Sequence, residues 1–138
     1  MRFSPHMCFD GQCEAAFRLY ENLFGGRITT LLSYGESPMA GQVEAADRKR
    51  IVHASLEVGE QILLGADLLP GGYARPQGFF VTLNIDELAR AQHLFEALAD
   101  GGEVRLPFRP TFWSAGFGIV VDRFGTPWEI NCEQLPAA

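Results

Sequence analysis

The chain repeats itself. Shifted by 76 positions, Phe9-Asp10 falls on Ile85-Asp86, Ala15 on Ala91, Leu19 on Phe95, Gly25-Gly26 on Gly101-Gly102, and Ile28 on Val104. Self-similarity at a fixed period marks a supersecondary unit that cannot bury its apolar face alone. Each half reads as strand, short turn, amphipathic helix, Gly-Gly, strand, and then two more strands. That pattern restricts the fold to an α+β class with two βαβββ modules. Residues 1–69 form the first module, 70–78 the linker and 79–138 the second.

Within the halves the local signals agree. Ala16, Leu19, Tyr20 and Leu23 recur at helical spacing and predict a helix near Cys13 to Phe24. Leu88, Ala91, Phe95 and Leu98 predict a second near Leu88 to Ala99. Gly25 and Gly101 follow as caps. From Ile51 to Val58 the alternation is clean, with Val52, Ala54, Leu56 and Val58 on one face and His53, Ser55 and Glu57 on the other. Gly59-Glu60 turns the chain and Gln61 to Ala66 returns it. In the second half Gly116 to Val121 goes out, Asp122 to Gly125 turns, and Pro127 to Glu133 returns. The linker "PGGYARPQG" is rich in residues that interrupt regular structure. Neither half has enough layers to cover both its helix face and its sheet. The two are expected to pack together, or with a second chain, around a shared curved sheet, and a homodimer is expected.

Bulk properties exclude several classes. Net charge is −6, and the one dense basic cluster, Arg48-Lys49-Arg50, follows Glu44 and Asp47 and reads as a solvated loop. No nucleic-acid partner is expected from such a balance. No apolar run approaches the ~18 residues of a membrane span, and the N-terminus lacks an apolar signal-peptide region. Three cysteines without a Cys-x-x-Cys pair suit reduced thiols, so a cytoplasmic location is expected. Eleven phenylalanines suit either a Phe-rich core or an apolar cavity.

Three stretches now carry a resemblance: "FDGQCEAAFRLYENLFGG" (9–26), "IVHASLEVGEQILLGAD" (51–67) and "FWSAGFGIVVDRFGTPWEIN" (112–131). With the paired modules and the closing Asp122, Gly125, Glu129 and Ile130, the chain resembles the vicinal oxygen chelate superfamily, which includes glyoxalase I, bleomycin-resistance proteins and extradiol dioxygenases. Within it the chain is similar to the PhnB-like branch. The resemblance implies a curved mixed sheet around a cavity. Branch members are often labelled methyltransferases of demethylubiquinone, but this chain has no Gly-x-Gly-x-x-Gly opening a helix after a strand.

In metal-using members the ligands come from the first and last strands of each module. Glu129 matches the carboxylate of the last strand. Its counterpart by the internal repeat is near Leu63, which cannot ligate. The first strand of the second module, Phe79 to Ile85, offers Phe80 at the ligand position and has no His. The first strand of the first module offers Pro5, with His6 one residue off, and His53 points away from the apolar face of its strand. The set is incomplete, so no metal or other cofactor is expected. Glu129 and Asn131 are expected to face the cavity, and Trp128, Ile130 and Cys132 the helices. Phe112 and Trp113 either line the cavity or cover a core edge or dimer interface. The loop from Glu36 to Arg50 is either a lid or disordered.

Two functions follow. One is a metal-free protein that binds an unknown planar or aromatic small molecule through His6, His53, Phe112, Trp113 and Asn131, with Glu129 as polar anchor. The other is a metal-dependent enzyme of the superfamily, a lyase, isomerase or transferase, with Glu129 as the catalytic base or carboxylate ligand.

Overall fold

A computed structural model describes residues 1–137. The chain divides into two compact units, Met1–Ala74 and Arg75–Ala138. The first contains β1 (His6–Phe9), α1 (Cys13–Phe24), β2 (Arg27–Ser33), β3 (Ile51–Val58) and β4 (Gln61–Asp67). The second contains β5 (Val81–Ile85), α2 (Leu88–Ala99), β6 (Glu103–Arg109), β7 (Phe117–Val121) and β8 (Pro127–Cys132). Each is a βαβββ module, as the repeat predicts. Each makes a four-stranded mixed sheet, in the orders β1-β4-β3-β2 and β5-β8-β7-β6. The first strand of each module lies parallel to its last, and the other pairs are antiparallel.

One face of each sheet is covered by the module's helix. In the first, Cys13, Ala16, Phe17 and Tyr20 of α1 are fully buried against Phe9, Ala54 and Leu56. In the second, Ala91, Leu94, Phe95 and Leu98 of α2 meet Val120, Trp128, Ile130 and Cys132. Gly25, with φ of 71°, ends α1 in the left-handed conformation that glycine adopts without steric cost, whereas α2 ends at Asp100 in extended backbone and Gly101, expected as its cap, takes φ of 73° in the turn that follows, closed by the Gly102 N–H on the Ala99 carbonyl.

The helix of the first module lies very close to its sheet. A Cβ on Gly65 would stand 2.5 Å from Phe17 Cε1 and 2.7 Å from Phe17 Cζ. Real side chains do not approach so closely, and the ring is held on its other sides by Phe9 and Tyr20. Gly65→Ala is therefore expected to cost about 1–3 kcal/mol by overpacking, read as a lower urea midpoint with unchanged slope.

Residues between β2 and β3 are ordered. Three short 3-10 turns, Tyr34–Glu36, Ala40–Gln42 and Ala45–Asp47, fill the loop expected to be a lid or disordered. Ser33 and Glu36 form a capping box at its start. Those two bonds from Ser33, through its hydroxyl and its backbone, hold the exposed Glu36 carboxyl below the usual range. Tyr34 is buried, and its hydroxyl donates to the Asp67 carbonyl at 3.0 Å.

Arg50 ties the far end of this loop down. Its guanidinium donates to Asp10 (3.0 Å), Asp47 (3.2 Å) and the Leu68 carbonyl (2.9 Å). The expectation of a solvated basic cluster thus fails at Arg50, which is largely covered. Its partners Asp10 and Leu68 are too distant in sequence to be seen in a local charge count.

Candidate functional site

Strand register decides which residues share a face. In the second module Trp128, Ile130 and Cys132 of β8 are completely buried under α2. The residues between them, Glu129 and Asn131, therefore stand on the opposite, helix-free face. Thr82 of β5 and Ile119 of β7 flank Glu129 on either side. Asn84 and Phe117 flank Asn131 in the next row. Thr82 and Asn84 are exposed; Glu129, Asn131, Phe117 and Ile119 are half-buried.

The polar groups of this face are paired across β5 and β8. Thr82 Oγ1 donates to Glu129 Oε1 at 2.8 Å. Asn131 Nδ2 donates to Asn84 Oδ1 at 3.0 Å. Asn131 Oδ1 is enclosed and has no hydrogen-bond partner. Leaving such an acceptor unmatched costs about 1–3 kcal/mol.

An aromatic run borders the face. Phe117 meets Trp113 edge-on with ring centroids 5.3 Å apart, and Trp113 meets Phe112 likewise at 4.7 Å. Phe112 is 90% exposed and Trp113 44%. The segment that carries them is held by two hydroxyls. Thr111 Oγ1 accepts from the backbone N–H of Trp113 (3.3 Å) and Ser114 (3.1 Å), and the Thr111 N–H donates to the Ser114 carbonyl (2.9 Å). The buried Ser114 Oγ lies 2.7 Å from the carbonyls of both Gly116 and Cys132 and accepts from the Gly116 N–H at 3.1 Å. Such short side-chain-to-backbone bonds fix a turn without regular structure. Trp113 is thus presented on a rigid support.

The first module offers a different open face. His6, paired with Leu64, stands in one cross-strand row, and Cys8, paired with Ala66, in the next. His53 of β3 faces Leu32 of β2. Cys8 Sγ lies 3.8 Å from His6 Nδ1. His53 is exposed. Cys13 is buried beneath α1, and burial together with nearby Asp67 pushes its thiol far above the ordinary range. Such a thiol packs as a small apolar group.

Register also corrects two alignments. β5 begins at Val81, so Phe80 lies outside the ladder and Thr82 is the residue opposite Glu129. In the first module His6, not Pro5, stands opposite the last strand, at Leu64. His6 and Thr82 are therefore equivalent positions, and Leu64 occupies the place that Glu129 holds in the second module. Counting along one strand cannot find this, because facing depends on which residue of the partner strand lies opposite. Thr82, Asn84 and Phe117 were not among the site residues read from the sequence. The polar alternation of Thr82 and Asn84 in "VTLNI" was the signal available.

The superfamily that the sequence resembles includes members with a divalent ion, and the residues around Glu129 do not fit one. Around Glu129 the donors are a threonine hydroxyl and a pair of asparagine amides. Among the described residues no three of His, Cys, Asp and Glu form a group able to hold a metal ion. Among them, too, no helix is long and apolar enough to cross a membrane.

Residues 2–130 match the Glyoxalase/Bleomycin resistance protein/Dioxygenase superfamily. The chain is 31% identical over 139 residues to Protein YjdN of Escherichia coli (strain K12), covering 95% of each chain. Its fold is similar to that of protein PA1353 from Pseudomonas aeruginosa, with a TM-score of 0.87, 40% identity, and 97% and 98% of the two chains covered. It is similar in fold to the PhnB protein from Bacillus cereus, with a TM-score of 0.81 at 19% identity over 96% and 99% of the chains. On the match of nearly its whole length, the chain belongs to the glyoxalase/bleomycin resistance protein/dioxygenase superfamily.

Proposed function

We propose that this protein binds a planar or aromatic small molecule on the helix-free face of its second module, through side chains alone and without a resident metal. One observation carries the reading. A carboxylate, an amide pair and a supported aromatic run (Glu129, Asn84 with Asn131, and Phe112, Trp113 and Phe117) converge on one face of one module. Binding sites are mostly apolar surfaces with a few placed polar groups, and this face has that composition. Glu129 is its polar anchor; Trp113 is its stacking surface. His6 and His53 lie on the open face of the first module, where they are proposed as contacts for a small molecule bound to that module.

The test is fragment binding followed by NMR. Aromatic fragments are expected to move the backbone signals of Trp113, Phe117, Glu129 and Asn131. Trp113→Ala is expected to weaken them by about tenfold, the order of one stacking contact, with the melting temperature little changed. Fragments that move none of these four signals would refute the reading.

We further propose a cytoplasmic homodimer. The second module leaves Phe79, Phe80, Val104 and Leu106 each at least 41% exposed, apolar side chains that self-association would cover. Light scattering is expected to give twice the 15.2 kDa chain mass, and Leu106→Glu is expected to shift the mass toward one chain.

A further inference from the structure

We infer that the ligand of this face is a planar aromatic cation bearing N–H donors, such as an amidinium or a protonated amino-heterocycle. The inference rests on the proposed site and specifies its ligand class.

Direction of hydrogen bonding carries it. Two donors of the face are turned inward, while the amide N–H groups of exposed Asn84 stand one row away from Glu129. The Thr82 hydroxyl is given to Glu129 Oε1, and the Asn131 amide N–H is given to Asn84 Oδ1. What remains around Glu129 is acceptor capacity. The Glu129 carboxylate holds about four lone-pair sites, of which Thr82 takes one. Four of the chain's eleven Lys and Arg residues pair with other carboxylates: Arg18 with Glu14, Arg27 with Glu57, Arg50 with Asp10 and Asp47, and Arg75 with Glu103. No ion pair to Glu129 occurs among the described residues.

The rows also give the reach. Glu129 and Asn131 are two residues apart on one strand, roughly 7 Å. One fork of N–H groups can bond the carboxylate while the ring lies toward Phe117 and Trp113. Phe117 lies opposite Asn131 and carries the aromatic run outward. Ring faces attract cations as well as other rings. Arg109 faces Phe117 from β6, about two strand spacings (~10 Å) from Asn131. It is the group through which an anion would be held instead, so an anionic probe belongs in the test.

Three isosteric probes separate the possibilities: benzamidine, benzamide and benzoate, which differ in charge and donor count around the same ring. Each is titrated into the full chain, with the signals of Trp113, Phe117, Glu129 and Asn131 followed by NMR. Benzamidine is expected to bind at least tenfold more tightly than benzamide, and benzoate more weakly still. Glu129→Gln is expected to bring benzamidine binding down to the level of benzamide. Asn131→Asp, which adds a second carboxylate, is expected to strengthen benzamidine binding. Benzamide or benzoate binding as tightly as benzamidine, or an unchanged preference in Glu129→Gln, overturns the cation assignment while leaving the site standing. If none of the three moves these signals, the site itself is wrong and the inference falls with it.

Discussion

Asp67→Ala is expected to lower stability by about 4 kcal/mol and to expose the thiol of Cys13. Asp67 ends β4 and is 1% exposed. Its Oδ1 accepts from the backbone N–H groups of Gly11 (2.9 Å) and Cys13 (3.0 Å), and its Oδ2 from that of Ile51 (2.8 Å). Gln12, the cap residue of α1, makes no side-chain cap bond. The first turn of that helix is therefore capped from a strand more than fifty residues away. The positive end of the helix dipole favours the carboxylate there. Removing it orphans three backbone donors, each worth about 1–3 kcal/mol when buried and unmatched. Partial relaxation brings the sum to about 4 kcal/mol, a large part of the ~5–15 kcal/mol that holds a domain together.

Two measurements check it. The urea midpoint should fall well below wild type, and Asp67→Asn should fall about half as far. The amide keeps an oxygen for Gly11 and Cys13 but turns a donor toward the Ile51 N–H. Thiol labelling supplies the second. Cys13 is 0% exposed and its thiol is pushed up by burial and by Asp67, so it reacts only through opening. Faster labelling of Cys13 in Asp67→Ala is expected. Unchanged labelling and an unchanged midpoint would show that water replaces the carboxylate without loss.

These residues also show where sequence reasoning succeeds. The helices Cys13–Phe24 and Leu88–Ala99 were legible to their end residues, because apolar spacing and a closing Gly-Gly are local signals. The facing of β8 was legible too: Trp128, Ile130 and Cys132 are all completely buried. Asp67 was not. The returning strand read from the sequence stopped at Ala66, and nothing nearby announces that its next residue caps a helix and a loop. Arg50 failed for the same reason. At the candidate site, Glu129 and Asn131 stood out as polar residues in an apolar strand. Their partners Thr82 and Asn84 depend on the pairing of β5 with β8, which joins residues 47 apart. Long-range register has no local signature, so the site was legible as single residues and illegible as pairs.

Asp122→Ala is expected to cost as much as Asp67→Ala, for a reason that reaches the site. The buried carboxylate of Asp122 accepts from the N–H of Phe124 (2.9 Å) and Thr126 (3.0 Å) through Oδ1, and from the Trp128 indole N–H (2.9 Å) through Oδ2. The Asp122 backbone closes the same turn, its N–H donating to Thr126 and its carbonyl accepting from Gly125. Asp122 thus joins the β7–β8 turn to the largest fully buried side chain in the protein. A loss of about 4 kcal/mol is expected in urea denaturation. The Trp128→Phe background tests the cause. It removes the indole donor, so Asp122→Asn, which sets an amide against that donor, should cost about 1–2 kcal/mol less there than in the parent chain. Trp128 is adjacent to Glu129, and a one-residue slip of β8 would carry Glu129 into the core and Trp128 out of it. If the Asp122 bonds hold that register, Asp122→Ala at temperatures where it is still folded should shift the backbone signals of Thr82 and Glu129 and lose benzamidine binding. If only stability falls and binding persists, the register is held by the buried face of β8 alone, and Asp122 serves the turn.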